Sequence, residues 1–320
     1  MATADQIKGL VKAYADNDNE RFKTIVLQIA AHEARNGHPS TARDLKELSD
    51  NIGNRRQTIF RMNEQNPALL YTSPDLRLSQ LIVSDELESK IERVLSEYRN
   101  RRKLASFGLS NRRKLLFEGN PGTGKTMTAS VIAAEVSLPL YTVQVDKLVT
   151  KFMGETSVRL REIFDSMQAR PGVYFFDEFD AIGADRSLDN EVGEMRRILN
   201  AFLQFIEQDS SESIIIAATN NQKILDKALF RRFDDVLHYS LPGREEIVRL
   251  ITKKLNSFNV EKDILSEKVI SASEGLSQSE IARSCDDAIK FSILDNSAVT
   301  CERLISFLEE RHEIYERKNA

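Results

Sequence analysis

Gly119-Asn120-Pro121-Gly122-Thr123-Gly124-Lys125-Thr126 has the form Gly, four residues, Gly-Lys-Thr, the pattern of a loop that cradles phosphates. The apolar run Leu115-Leu116-Phe117 precedes it, and a helical pattern opening at Met127 follows it. Strand, loop and helix in that order are the context the motif requires. Glycines let the backbone amides turn inward on an anion, and the helix start adds its positive dipole end. Lys125 is suited to neutralise terminal phosphates, and the Thr126 hydroxyl to hold Mg²⁺. A flexible glycine turn is the plain alternative, and the flanks speak against it.

Working outward, apolar runs alternate with amphipathic helical patterns. Strands are expected near Leu115–Phe117, Leu140–Val143, Val173–Phe176, Ile214–Ala218 and Val236–Tyr239. Five such runs separated by helices predict a parallel sheet covered on both faces. A helix is expected from about Asp85 to Ala105, with Leu87, Ile91, Val94, Leu95 and Tyr98 on one face. Residues 1–75 read as a small all-α module followed by a linker, with Ile25, Val26, Ile29 and Ala30 at helical spacing. Asn66-Pro67 and Ser73-Pro74 mark the linker. Residues 76–243 form the α/β domain, and residues 244–320 a second helical domain carrying Ile247, Leu250, Ile281, Cys285, Leu304 and Leu308.

The 320 residues are 41% hydrophobic and 29% charged with a net charge of −4, an ordinary balance for a globular protein. The acidic balance gives no global case for nucleic acid. Apolar runs fall short of a membrane span, and the N-terminus lacks a signal-peptide layout. Cys285 and Cys301 have no metal-ligand spacing. They read as reduced, half-buried thiols in a cytoplasmic protein.

Val173-Tyr174-Phe175-Phe176-Asp177-Glu178 places two carboxylates at the C-terminal end of a buried strand, the edge where open parallel sheets collect ligand groups. Asp177 is suited to the Mg²⁺ shell, and Glu178 to orient and activate water. Beside these stands the reading of a solvated turn. Ile214 to Ala218 is a buried run ending in Thr219-Asn220, and Asn220 reads either as a turn residue or as a hydrogen-bond partner of a γ-phosphate or water. Arg231 and Arg232 precede the last strand. They could fork onto phosphate oxygens or form a surface ion pair with Asp234 or Asp235.

In this order and spacing the four segments resemble the AAA+ ATPases. The likeness extends over about residues 76 to 315 and is closest to the protein-remodelling AAA subgroup of katanin, spastin and the ESCRT-disassembly ATPase. The resemblance implies a P-loop NTPase sheet with a helical lid, ATP and Mg²⁺ as cofactors, and a homo-oligomer, typically a hexamer. It further implies that residues 119–126, with Met127, are Walker A; that residues 173–178 are Walker B; that Asn220 is sensor 1; and that Arg231 and Arg232 are arginine fingers. Asn120 departs from the usual Pro at its position, which offers mainly backbone. Gly275-Leu276-Ser277-Gln278-Ser279-Glu280-Ile281 begins the lid helix, without an evident sensor-2 arginine; the resemblance implies that this segment contacts the base and ribose instead. Lys151-Phe152-Met153-Gly154 looks like the loop with which threading relatives grip a polypeptide; a core position for Phe152 is the alternative. Arg186 and Asn190 fall in a weaker second candidate loop. His32, Glu33 and His38 lack zincin spacing.

Two functions follow as expectations. One is an ATP-driven remodeller or unfoldase of a protein partner. The other is an ATP-gated regulator that binds and releases one dedicated partner, such as a toxin, protease or effector, without threading it. A DNA-associated ATPase is disfavoured by the acidic charge and the Lys-Phe-Met-Gly segment. Residues 1–75 read, by position, as an adaptor or recruitment module.

Overall fold

The computed structural model of the chain describes residues 25–27, 29–30, 33, 43, 68–148, 155–179, 191–220 and 230–319. The chain divides into two units, Met1–Phe60 and Arg61–Ala320. In the first, Val26, Ile29 and Ala30 are helical and buried, on the face the periodicity predicts. Its remaining predicted helices lie outside the described residues, as do His32, His38, Lys151, Phe152, Met153, Arg186 and Asn190.

The second unit is built on a sheet of β1 (Leu69–Thr72), β2 (Lys114–Gly119), β3 (Leu140–Val143), β4 (Val173–Phe176), β5 (Ile214–Thr219) and β6 (Asp235–Tyr239), in the order β1-β3-β4-β5-β2-β6. The five predicted strands form the parallel part. β1 is a sixth strand inside the stretch read as a linker, and it pairs antiparallel with β3, Leu69 opposite Val143. The expected five-stranded sheet is corrected to six. The signal was weak for a physical reason: Leu-Leu-Tyr-Thr is four residues long and only partly buried throughout. So short an edge strand neither alternates nor forms a long apolar run.

Helices cover both faces: α1 (Asp85–Arg99), α2 (Arg101–Ser106), α3 (Lys125–Glu135), α4 (Val145–Leu148), α5 (Glu155–Ala169) and α6 (Glu191–Gln208). β4 shows how one strand serves two layers, since successive side chains point to opposite faces. Tyr174 and Phe176 pack with Leu160, Ile163 and Phe202. Val173 and Phe175 pack with Ile91, Leu95 and Ile132. Each fully buried aromatic of this kind stabilises by roughly 1.5–3 kcal/mol. The helix expected through Ala105 breaks at Asn100, whose backbone leaves helical geometry (φ −100°, ψ 13°). Its Nδ2 donates to the Ser96 carbonyl at 2.8 Å. An Asn side chain that bonds the backbone in this way competes with the helix ladder.

α7 (Arg244–Leu255), α8 (Glu267–Ser273), α9 (Gln278–Leu294) and α10 (Cys301–Asn319) share a separate core of Ile247, Ile251, Ile281, Cys285, Leu304 and Leu308. Cys285 is fully buried rather than half-buried, and burial pushes its thiol up to about 12. A thiol reacts as its thiolate, so Cys285 should alkylate about 10³-fold more slowly than a free cysteine at pH 8. Iodoacetamide labelling read by peptide mass spectrometry checks this. Prompt native labelling of Cys285 would contradict it, and guanidinium should release it.

Candidate active site

The C-terminal edge of the parallel strands opens on a cavity of about 760 Å³, within the range of small-molecule sites. Pro121, Gly122, Gly124, Lys125, Thr126 and Met127 line it from the loop. Asp177, Glu178 and Asn220 line it from the ends of β4 and β5. Gly119 and Asn120 face a neighbouring cavity behind the loop, and Thr123 is buried, donating its hydroxyl to the Asn120 carbonyl at 2.7 Å.

Two glycines make the loop possible. Gly119 meets β6 so closely that a Cβ would overlap the Tyr239 carbonyl. Gly122 has φ +78°, and a Cβ there would overlap Ser279 Oγ and lie 2.6 Å from Ser277 Oγ, both at the start of α9. The Ser279 N–H donates to the Gly122 carbonyl at 3.0 Å, so the second helical domain is bonded to the loop itself.

Lys125, buried at the start of α3, donates to the Gly119 and Asn120 carbonyls at 2.7 and 2.8 Å. Its ammonium is thereby held inside the loop. The Thr126 hydroxyl donates to Asp177 Oδ2 at 3.1 Å. A hydroxyl and a carboxylate held together beside a phosphate cradle are the hard oxygen donors that Mg²⁺ takes along with phosphates. Glu178 follows at φ +49°, a left-handed backbone rare for a non-glycine residue. Two contacts hold this turn: the Glu178 N–H donates to Asp177 Oδ1 at 3.0 Å, and the buried Phe179 ring packs on Phe202 at 4.3 Å. The Glu178 side chain is exposed at the cavity. Strain of this kind clusters at functional sites.

Arg231 and Arg232 do not line this cavity. Phe233, buried beside them, anchors their turn in the sheet core. Arg231 is exposed, and Arg232 pairs with Glu207 of α6 at 3.1 Å. The ion-pair partners weighed from sequence are engaged elsewhere. Asp234 accepts the Arg113 and Lys114 amides at 2.9 Å, and Asp235 pairs with Arg93 and Arg112.

Sequence reading found the start of α9 in this wall, at Gln278 and Ser279, but missed its apolar part and Lys253. Leu76, Leu81 and Ile82 come from the segment around the 3₁₀ turn Leu78–Gln80, and Leu250 from α7. These apolar side chains have no shared periodicity that could have flagged them. Lys253 of α7 also lines the wall and donates to the Ser79 carbonyl at 2.9 Å. Burial, and then the neighbouring Arg249, lower its pKa from the ordinary lysine value. Gln278 and Ser279 contribute from the first turn of α9.

A phosphate-cradling loop at the C-terminal edge of a parallel sheet, with paired carboxylates after β4, the strand next but one to β2, defines a nucleoside-triphosphate-binding α/β protein. Residues 115–241 match the family of ATPases associated with various cellular activities, AAA. The uncharacterised AAA family ATPase y4kL of Sinorhizobium fredii is 31% identical over 95% of this chain and 93% of its own length. The chain belongs to the AAA ATPase family. An ATP-dependent zinc metalloprotease, FtsH, of Parabacteroides distasonis is 28% identical over 84% of this chain, but the match spans only 42% of that protein. The crystal structure of the FIGL-1 AAA domain shares the fold, with a TM-score of 0.61 at 20% identity, over 75% of this chain and 85% of that one. Among the described residues no helix is long and apolar enough to cross a membrane.

Proposed function

We propose that the chain hydrolyses ATP with Mg²⁺ in an oligomeric ring, a hexamer by family likeness, and uses the cycle to remodel or unfold a protein partner in the cytoplasm. The observation that carries the hydrolytic reading is the Thr126–Asp177 contact at 3.1 Å beside Glu178 in one cavity with Lys125. In this reading Gly119 to Met127 bind the phosphates, and Thr126 and Asp177 would hold Mg²⁺, which would supply neutralisation of the phosphate charge. Glu178 orients water and takes its proton as the water oxygen bonds phosphorus and the bridging oxygen departs with ADP. Asn220 fixes the water or the γ-phosphate by a hydrogen bond. Arg231 and Arg232, lying away from their own cavity, serve the site of an adjoining copy. Residues 76–243 act as the nucleotide domain, residues 244–320 as the lid and residues 1–75 as the recruitment module.

Remodelling rests on the Lys151-Phe152-Met153 segment and on the likeness to an ATP-dependent protease. Phe152→Ala is expected to abolish ATP-driven unfolding of a tagged substrate, measured by loss of its fluorescence while phosphate release is followed in parallel. Full unfolding by the variant would sink the threading role. Retained control of a dedicated partner without unfolding would select the gate reading instead. Nucleic acid and membrane are not part of the proposal.

A further inference from the structure

Glu118 stands on β2 directly before Gly119, the first residue of the phosphate loop, and its side chain is only 5% exposed. A buried carboxylate is costly without a partner. Its partner is His238, opposite it in the β2–β6 register, whose Nδ1 lies 2.9 Å from Glu118 Oε2. The His238 side chain is 61% exposed, so it can exchange protons with solvent. The next pair in the register is Gly119 and Tyr239, which approach too closely for a Cβ at residue 119. The buried charge is thereby fixed at the root of the loop.

Glu118 and His238 open on a cavity of about 680 Å³ that also reaches Gly119, Asn120 and Asn220. Few other charges face them. Glu86 and Lys90 reach the cavity from α1 and pair with each other at 3.2 Å. Thr219, the β5 neighbour of Glu118, carries no charge. The Lys125 ammonium is held by the loop carbonyls of Gly119 and Asn120. Among the described residues, His238 is the cationic group within ion-pair reach of Glu118. Protonated His238 cancels the Glu118 charge. Neutral His238 leaves a carboxylate, shielded from water, beside a loop that has to accept a polyanion. Imidazole is the side chain that changes charge near neutrality. We propose that the Glu118–His238 pair sets nucleotide affinity according to proton concentration, the phosphates binding more tightly when His238 is protonated. Raising the pH then weakens binding, and by reciprocity binding takes up protons. The inference rests on the nucleotide-binding reading of the phosphate loop.

The test is calorimetric titration of the full chain with ADP at about pH 6 and about pH 8, either side of the imidazole range. Buffers of different ionisation enthalpy add a readout of proton exchange. The nucleotide's own titration is common to every chain, so wild type is compared with His238→Gln. The two are expected to bind equally at the higher pH. At the lower pH the wild type is expected to bind about three- to tenfold more tightly, the order for one charge near the phosphates. Between the two values it should take up more of a proton per ADP than the variant. Glu118→Gln, which removes the buried charge, is expected to bind more tightly than the wild type at the higher pH. Parallel pH profiles and equal proton uptake for wild type and His238→Gln overturn the inference and leave the nucleotide site standing. That comparison holds even where the buried Glu118→Gln fails to fold, because His238 is exposed. No ADP binding by the wild type at either pH overturns the nucleotide reading and this inference together.

Discussion

Glu178→Gln is expected to lower ATP turnover at least about 10²-fold while ATP binding survives, because it removes the proposed proton acceptor and little else. The carboxylate stands on a turn held by the Asp177 side chain and by Phe179 packed on Phe202. Neither contact uses the Glu178 side chain, and that side chain is exposed. Its amide replacement keeps volume and backbone, so folding should be unaffected. Phosphate-release assays alongside equilibrium ATP binding check this, with mass photometry to look for a trapped oligomer. Unchanged turnover would remove Glu178 from the mechanism, and lost ATP binding would mean that the turn itself had moved.

The second large effect concerns Arg231 and Arg232. With both replaced by alanine, turnover is expected to fall about 10³–10⁵-fold, the range for arginines that stabilise charge in phosphoryl transfer. The cost to folding should be no more than about 1 kcal/mol, since the pair Arg232 makes with Glu207 is largely solvent-exposed. An exposed pair of that kind is easily exchanged for a phosphate. The decisive measurement is a mixture. A Lys125→Ala chain, unable to hold phosphates but carrying both arginines, should restore turnover to the arginine-deficient chain. Failure of the mixture to recover would place the arginines' action within one copy or remove it altogether.

Much of this site was legible because buried parallel strands are written as uninterrupted apolar runs, and the polar residue that ends each run falls at the sheet edge. Asp177, Glu178 and Asn220 were found that way. β1 escaped because an edge strand of four half-buried residues is written like a loop. The break at Asn100 escaped because the apolar face of α1 continues in sequence to Leu104, while one side-chain amide ends the helix. The partners of the arginine segment were equally hidden, because Glu207 lies far away in sequence.

The bond from Ser279 N–H to the Gly122 carbonyl joins main chain to main chain. An ordinary side-chain exchange at Ser279 leaves both bonding groups in place, so Ser279→Ala would pass over the bond, whereas any Cβ at Gly122 would overlap Ser279 Oγ. Proline at 279 is the natural probe. It deletes the donor, and the second position of a helix has no intrahelical use for that N–H. Ser279→Pro removes the helical domain's backbone tether to the phosphate loop together with the Ser279–Ser277 hydroxyl contact at 3.3 Å, and Ser279→Ala, which loses only the hydroxyl, is its control.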